Sequence, residues 1–201
     1  TESGEFAEEI TPVMVKTRKA ETLVETDEEP ARMRLDKIPS LRPAFRRDGT
    51  VTAATSSKIS DGAAATVLMT AGRAAELGVQ PLATIIAHAT HSHEPEWFTT
   101  APSAAVAMVV EKAGWTMDEV DLFEINEAFA SVTMAAMTDN GLNHDKVNVH
   151  GGACALGHPI GASGARILVT LIHALHLRGL SKGVASLCLG GGEAVAMAVE
   201  V

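Results

Sequence analysis

Three short segments gather the residues that could do chemistry. The first, Gly151 to Arg166, reads GGACALGHPIGASGAR and sets His158 among five glycines, with Pro159 behind it. Glycines permit positive φ and let a ligand or a second backbone come close. A histidine on such a loop, with its near-neutral intrinsic pKa, suits general-base work. A lone histidine there reads first as a turn residue bonded to backbone; the glycine density and the other two segments turn the reading toward chemistry. The second segment, Ser186 to Gly192, is SLCLGGG. Cys188 ends an apolar stretch just ahead of a triple-glycine turn whose amides could face developing negative charge. A free cysteine is most often a small core hydrophobe, whereas one facing a glycine nest is a candidate acid/base or nucleophile. The third segment, Glu124 to Ala130, is EINEAFA. Asn126 either caps the helix that follows or holds a water or a carbonyl. Glu127, in the first turn of that helix, is accounted for by the helix dipole alone.

Strands and helices must hold these residues in place. Leu122 to Ile125 reads as a short buried strand, and Glu127 to Met137 as a helix closed by Asn140-Gly141. Val147 to Val149 reads as a strand. Gly161 to Leu177 reads as a long helix with Ile167, Leu168, Leu171 and Leu175 on one face. Val184 to Leu189 and Ala194 to Val199 are strands joined by Gly190-Gly191-Gly192, too close for a parallel crossover and therefore antiparallel. Upstream, Asp61 is placed to cap a helix through Ala63, Val67, Leu68, Ala71 and Ala75 that ends at Gly78. A β-rich run, Leu82 to Ala87, follows. Pro102 and Ser103 then open a helix through Val106, Val109 and Val110, stopped by Gly114. This alternation gives an α/β fold, a mixed β-sheet covered by helices in layers. Residues 1 to about 50 differ: they are charged, punctuated by Pro30, Pro39 and Pro43, and weak in apolar periodicity. They read as a loop-and-hairpin region that must pack on something else to stay ordered.

Composition narrows the function classes. The chain has 201 residues, 46% of them hydrophobic and 20% charged, with 16 basic against 25 acidic side chains and a formal net charge of -9. Such a balance argues against a broad nucleic-acid surface, whose footprint is basic. No apolar run approaches the roughly 18 to 20 residues needed to span a bilayer, so no membrane partner is expected. Two cysteines make no disulfide framework, and a reducing, cytoplasmic compartment is the simpler reading. The chain opens at Thr1 without a signal-like start, and Thr1 is read as a cut in a longer protein.

Taken together, NEAFA, then GGACALGHPIGASGAR, then CLGGG resemble the three C-terminal motifs of thiolases, the acetyl-CoA C-acetyltransferases and 3-ketoacyl-CoA thiolases. The resemblance extends upstream through LRPAFRRDGTVTA (Leu41 to Ala53) and SDGAAA (Ser60 to Ala65), and so covers nearly the whole chain. It implies the C-terminal half of a thiolase, with the end of the loop domain and a linker over residues 1–57 and the C-terminal domain over 58–201. By likeness His158 activates a cysteine nucleophile carried by an N-terminal half. Cys188 is the second acid/base, exchanging a proton with the α-carbon during Claisen condensation or its reverse. The Gly190 amide is one oxyanion donor, and Asn126 holds a water that completes the other. Ala128 and Phe129 shape the acyl pocket, while Ala53 and Ser57 lie near the pantetheine arm of coenzyme A. Coenzyme A and acyl-CoA are substrates, and no further cofactor or metal is implied. The whole family member is expected to be a homodimer or homotetramer, and this chain alone is expected not to turn over. Short acyl chains, of the acetoacetyl type, are the default.

Some features depart from that pattern or compete with it. Thr99-Thr100-Ala101-Pro102 replaces the more usual Thr-Gly-Pro, and Thr55 stands where many members have Asn. Cys154 sits where the family usually has an aliphatic residue and reads as core packing. Arg32, Arg34, Arg46 and Arg47 could meet phosphates but match no motif, and read as solvated surface. His88, His91, His93 and Glu94 are close in sequence, yet their spacing is not that of a zinc helix. A non-catalytic coenzyme A or lipid carrier would not need Asn126, His158 and Cys188 together. Related condensing enzymes that pair two histidines, or His and Asn, with cysteine are disfavoured by the Cys188-Leu-Gly turn after the GHP motif.

Overall fold

The computed structural model describes residues 1–201. The chain begins with a few turns and a hairpin, β1 (Val13–Lys16) and β2 (Glu21–Val24), paired antiparallel with Val13 opposite Val24. Both strands are exposed throughout. Helix α1 (Glu28–Arg32) follows, and Arg32 pairs on the surface with Glu28 and Glu29. The remaining structure starts at helix α2 (Ala71–Leu77), then strand β3 (Thr84–Ser92), helix α3 (Ala101–Lys112), strand β4 (Leu122–Ile125) and helix α4 (Ala130–Asn140). A single turn, α5 (Ala153–Leu156), leads to helix α6 (Ser163–Arg178) and to strands β5 (Lys182–Leu189) and β6 (Glu193–Glu200).

Four of these strands form one mixed sheet in the order β3-β6-β5-β4. The β4–β5 pair is parallel, and β6 runs antiparallel to both β5 and β3. Helices cover both faces. On one side α3 lies between the sheet and α4, which is why it is apolar nearly all round: Ala105, Val106 and Val109 are fully buried against Phe123, Ile125, Val184 and Ala196. On the other side α6 lays Ile167, Leu171, Ala174 and Leu175 on Leu122, Ala185 and Val199. Gly183 on β5 makes that approach possible, since a Cβ there would stand 2.8 Å from Leu175 Cδ1 and 2.9 Å from Leu171 Cδ1. Each buried valine, leucine, isoleucine or phenylalanine among these stabilises the fold by roughly 1.5–3 kcal/mol. No helix is long and apolar enough to cross a membrane.

The layered sheet, the hairpin and the antiparallel β5–β6 pair agree with the sequence reading. Four elements differ, the first only in extent: the strand read over Leu82–Ala87 runs Thr84–Ser92. Residues 61–70 carry no helix; α2 begins at Ala71, where the Thr70 hydroxyl, not Asp61, accepts from the third backbone amide. A helix over Ala63–Met69 would need cover for its apolar side, but Val67 and Leu68 are 85% and 71% exposed. Helix α4 starts three residues later than Glu127, because Phe129 is held in extended conformation. The strand expected at Val147–Val149 shrinks to a single parallel bridge between Val147 and Phe123, cut short by the left-handed backbone of Asn148 (φ 48°).

Candidate active site

Strands β4 and β5 run parallel, so their carboxyl ends open on the same edge of the sheet, the place where α/β sheets present their ligands. Asn126 is the first residue beyond β4. Its N–H donates to the Ser186 carbonyl at 2.9 Å, extending the ladder by one residue. The preceding residue is gripped from the side. Asn148 Oδ1 accepts from the Ile125 N–H at 2.8 Å, and Asn148 Nδ2 donates to the Ile125 carbonyl at 2.9 Å. Asn126 is 1% exposed, and its Oδ1 has no protein partner. It does not cap α4, whose N-cap is Phe129. Glu127 likewise lies outside that helix, and its carboxylate accepts from the Cys154 N–H at 3.1 Å. The helix dipole therefore does not explain Glu127.

His158 comes to the same edge on the glycine loop. Gly157 has φ +95°, and a Cβ there would stand 2.5 Å from Ser60 Oγ, so this position requires glycine. The His158 N–H donates to the Lys58 carbonyl at 2.7 Å, tying the loop to a segment far upstream. The ring sits between two side chains. Nδ1 lies 2.6 Å from Ser163 Oγ, and Nε2 lies 3.5 Å from Asn126 Nδ2, the outer limit of a hydrogen bond. Burial, with the Arg166 charge behind it, lowers the His158 pKa below the ordinary value. An open cleft of about 580 Å³ runs along the next residues, Pro159 and Ile160, and faces Ser60, Asp61 and Gly62.

Cys188 lies near the end of β5, opposite Ala194, with its thiol half-buried and its pKa raised by burial. The turn that follows is exposed at Gly190. At Gly192 (φ +101°) the backbone packs so tightly against His93 that a Cβ would strike the His93 carbonyl. The His93 N–H donates to the Gly192 carbonyl at 3.0 Å, and His93 Nε2 lies 2.7 Å from the Trp97 carbonyl. His91 meets His93 edge to face, with ring centroids 5.2 Å apart. His88, His91, His93 and Glu94 do not converge on a common point with the spacing of metal ligands.

The remaining expected residues fall into a second group. The Ser57 hydroxyl and N–H both donate to the Ala128 carbonyl, at 2.9 and 3.1 Å. Next to it Ser56 bridges to Phe129, whose ring meets Phe45 and Phe98 edge to face at 6.1 and 6.5 Å. Ala53 stands apart on an exposed turn fixed by the Thr52 hydroxyl. Sequence reasoning passed over Asn148, Ser163, Phe45 and Phe98. Ser163 lies inside the glycine motif, and Asn148 is a residue that tolerates left-handed backbone; the two phenylalanines give no local signal.

Beneath the site a buried carboxyl faces an arginine. Glu124, on β4, is 2% exposed, and its pKa is pushed up to about 8, chiefly by burial, against the opposing Arg166 charge. Arg166 Nη1 is 3.8 Å from Glu124 Oε2. Cys154 is held protonated too: burial, then Glu127, push its thiol up to about 12, as fits a packing residue. Arg34 and Arg46 pair with Asp36 and Asp48 at the surface. The site thus offers an imidazole beside a buried carboxamide, a protonated thiol and a glycine turn, which is the equipment for moving protons and holding an oxyanion.

Known proteins share this fold. The family model described as "Thiolase, C-terminal domain" matches residues 79–201, and "Thiolase, N-terminal domain" matches residues 1–72. The chain is 51% identical over 199 residues to an acetyl-CoA acetyltransferase of Rhizobium meliloti, covering 98% of this chain and 51% of that protein. Its fold superposes on the crystal structure of the Bacillus anthracis acetyl-CoA acetyltransferase with a TM-score of 0.96 and 46% identity, over 99% of this chain and 51% of that one. An Ascaris suum thiolase crystallised in complex with coenzyme A matches with a TM-score of 0.88 and 39% identity, over 99% and 50%. The chain spans about half the length of these relatives. On sequence and on fold alike, the chain belongs to the thiolase family.

Proposed function

We propose that this chain carries the acid/base and oxyanion part of a thiolase that catalyses reversible Claisen condensation, of the type acetoacetyl-CoA plus coenzyme A giving two acetyl-CoA. The observation that carries the reading is the approach of Asn126 to His158 at the carboxyl edge of the parallel strands, with Asn126 Oδ1 buried and free to accept from a water.

In thiolysis, His158 Nε2 takes the proton of a cysteine thiol supplied by a complementary half of the protein, and the thiolate attacks the 3-keto carbon. The Asn126 side chain, through a water, and the Gly190 amide each meet one of the two oxygens on which negative charge develops. Cleavage of the carbon–carbon bond leaves an acyl group on that cysteine and a carbanion on the α-carbon of the departing acetyl-CoA, which takes its proton from Cys188. The raised pKa of Cys188 suits this task, because the thiol holds its proton until the carbanion forms. Ala128 and Phe129 line the acyl end. Ser57 and Ala53 face the pantetheine arm, with residues 1–57 acting as the end of a loop domain and 58–201 as the C-terminal domain. Coenzyme A enters as the second substrate: its thiol gives its proton to the Cys188 thiolate and attacks the acyl-cysteine, the second acetyl-CoA leaves, and the released cysteine thiolate recovers its proton from His158, so the chemistry needs no other cofactor.

Exposed apolar side chains support a complementary half. Ile59 and Ile160 lie uncovered at the His158 loop, and Val67 and Leu68 lie uncovered on the segment that follows Ile59, a surface that calls for a partner. The curated relatives contain about as much chain again. The full assembly is read as a homodimer or homotetramer in a reducing, cytoplasmic setting that keeps Cys154 and Cys188 as free thiols.

The test is acetoacetyl-CoA thiolysis by this chain alone and after mixing with the complementary half of the Rhizobium meliloti relative. Activity only on mixing, abolished by His158→Ala and by Cys188→Ala, is the expected result. Turnover by the chain alone refutes the split site. A folded complex without thiolysis refutes the proposed reaction.

A further inference from the structure

We infer that Ser163 is a positioning residue that holds His158 as the Nδ1–H tautomer, leaving Nε2 bare as the base. The inference deepens the reading above and rests on His158 being the proton acceptor.

Ser163 is 1% exposed, at the first position of α6, and its hydroxyl has two neighbours. Oγ is 2.6 Å from His158 Nδ1 and 3.1 Å from the Pro159 carbonyl. A hydroxyl has one proton and two lone pairs. The Pro159 carbonyl, which also takes the Ala162 and Ser163 N–H groups, can only accept, so for both hydroxyl contacts to be hydrogen bonds the hydroxyl proton goes to Pro159 and a lone pair is left facing Nδ1. That nitrogen must then be the donor. With Nδ1 protonated, the neutral ring presents an unprotonated Nε2 to Asn126 Nδ2, itself a donor, at 3.5 Å. The opposite tautomer would set N–H against N–H there unless the Asn126 amide turned over. Two further features keep the ring neutral and so preserve a bare nitrogen: the Arg166 charge, and the N-terminus of α6, whose partial positive charge opposes an imidazolium. When Nε2 takes a proton, the same Ser163 lone pair remains bonded to Nδ1–H, so the transfer needs no rearrangement behind the ring.

The experiment is long-range 1H–15N correlation on this chain labelled with 15N-histidine, the His158 signals being identified by their loss in His158→Ala. The expected spectrum shows protonated Nδ1 and bare Nε2. Ser163→Ala should move the ring toward the Nε2–H form, and Ser163→Thr, which keeps the hydroxyl, should retain the original pattern. Nε2–H in the unmodified chain overturns the inference, whatever the fate of the variants. An unchanged tautomer in a folded Ser163→Ala chain overturns it too. In the enzyme reconstituted from two halves, Ser163→Ala should lower kcat by about 10- to 100-fold with KM little changed, and Ser163→Thr should recover most of that loss. Bare Nε2 in an enzyme that fails to cleave acetoacetyl-CoA supports the positioning role and refutes the proposed reaction, so the two readings fail separately.

Discussion

Replacing Glu124 by Gln should flatten the stability of this chain against pH. Glu124 sits fully buried in β4 with Oε1 unpartnered, and Arg166 Nη1, 3.8 Å from Oε2, completes no hydrogen bond across the gap. Desolvation therefore outweighs attraction, and the carboxyl pKa rises from its ordinary 4.5 to about 8. The native state binds this proton more tightly than the unfolded chain does. Its contribution to stability is thus fully present below pH 4.5 and is lost as pH rises through 8. Each unit within that window removes about 1.4 kcal/mol, and the whole window is worth on the order of 5 kcal/mol. Urea unfolding of both proteins at pH 6 and at pH 8 measures it. The wild-type chain should lose about 2 kcal/mol more than Glu124→Gln between those points, because the carboxyl is half ionised by pH 8. Asp27, whose pKa burial also raises, titrates in both proteins and cancels in the comparison, whereas Glu9, whose charge helps to raise Glu124, adds only its coupling to that carboxyl. Equal losses, within about 0.5 kcal/mol, would refute the reasoning. They would mean that Glu124 stays ionised and that Arg166 holds it as a true ion pair.

Two other consequences can be checked directly. Asn148→Ala strips the partner from the buried Ile125 N–H, while the Ile125 carbonyl keeps the Thr133 hydroxyl. It also leaves alanine in left-handed backbone, so the cost should be about 2–4 kcal/mol in urea unfolding. Asn148→Gly, which relieves only the backbone term, should lose about 1 kcal/mol less. Both thiols are held protonated at neutral pH, so iodoacetamide should label Cys188 and Cys154 more slowly than free cysteine at pH 8. Peptide mass spectrometry should find Cys154, pushed to about 12, still unlabelled above pH 9.

What the sequence made legible was what local signals control. The strand Leu122–Ile125 and helices α3 and α6 carry their apolar period, their opening proline and their closing glycines within their own residues. The two glycine-rich motifs, read together with NEAFA, singled out His158, Cys188 and Asn126. Where the reading failed, a distant contact had intervened. Helix α4 is delayed because Phe129 docks on Phe45 and Phe98, which come from other elements. Asn126 looks like a helix cap by position, but its side chain is turned to His158 across a gap that no nearby residue reveals. The apolar run Ala63–Met69 has a helical spacing and no surface to cover it, and there a period without a partner specified nothing.

The same contrast explains how the site can be ordered while its surroundings stay open. A general base is effective only if held within tenths of an ångström of its target. Here every group that holds Asn126 and His158 belongs to this chain: the Ser186 and Lys58 carbonyls through the main chain, Asn148 through the preceding residue, and Ser163 behind the ring. None of these contacts involves the uncovered side chains Ile59, Val67, Leu68 and Ile160. On the proposed reading, the complementary half then brings the nucleophile to a base that is already aimed, and its binding energy goes into covering apolar surface and not into organising the catalytic groups. That ordering of tasks is why the tautomer of His158 can be measured before any substrate is bound.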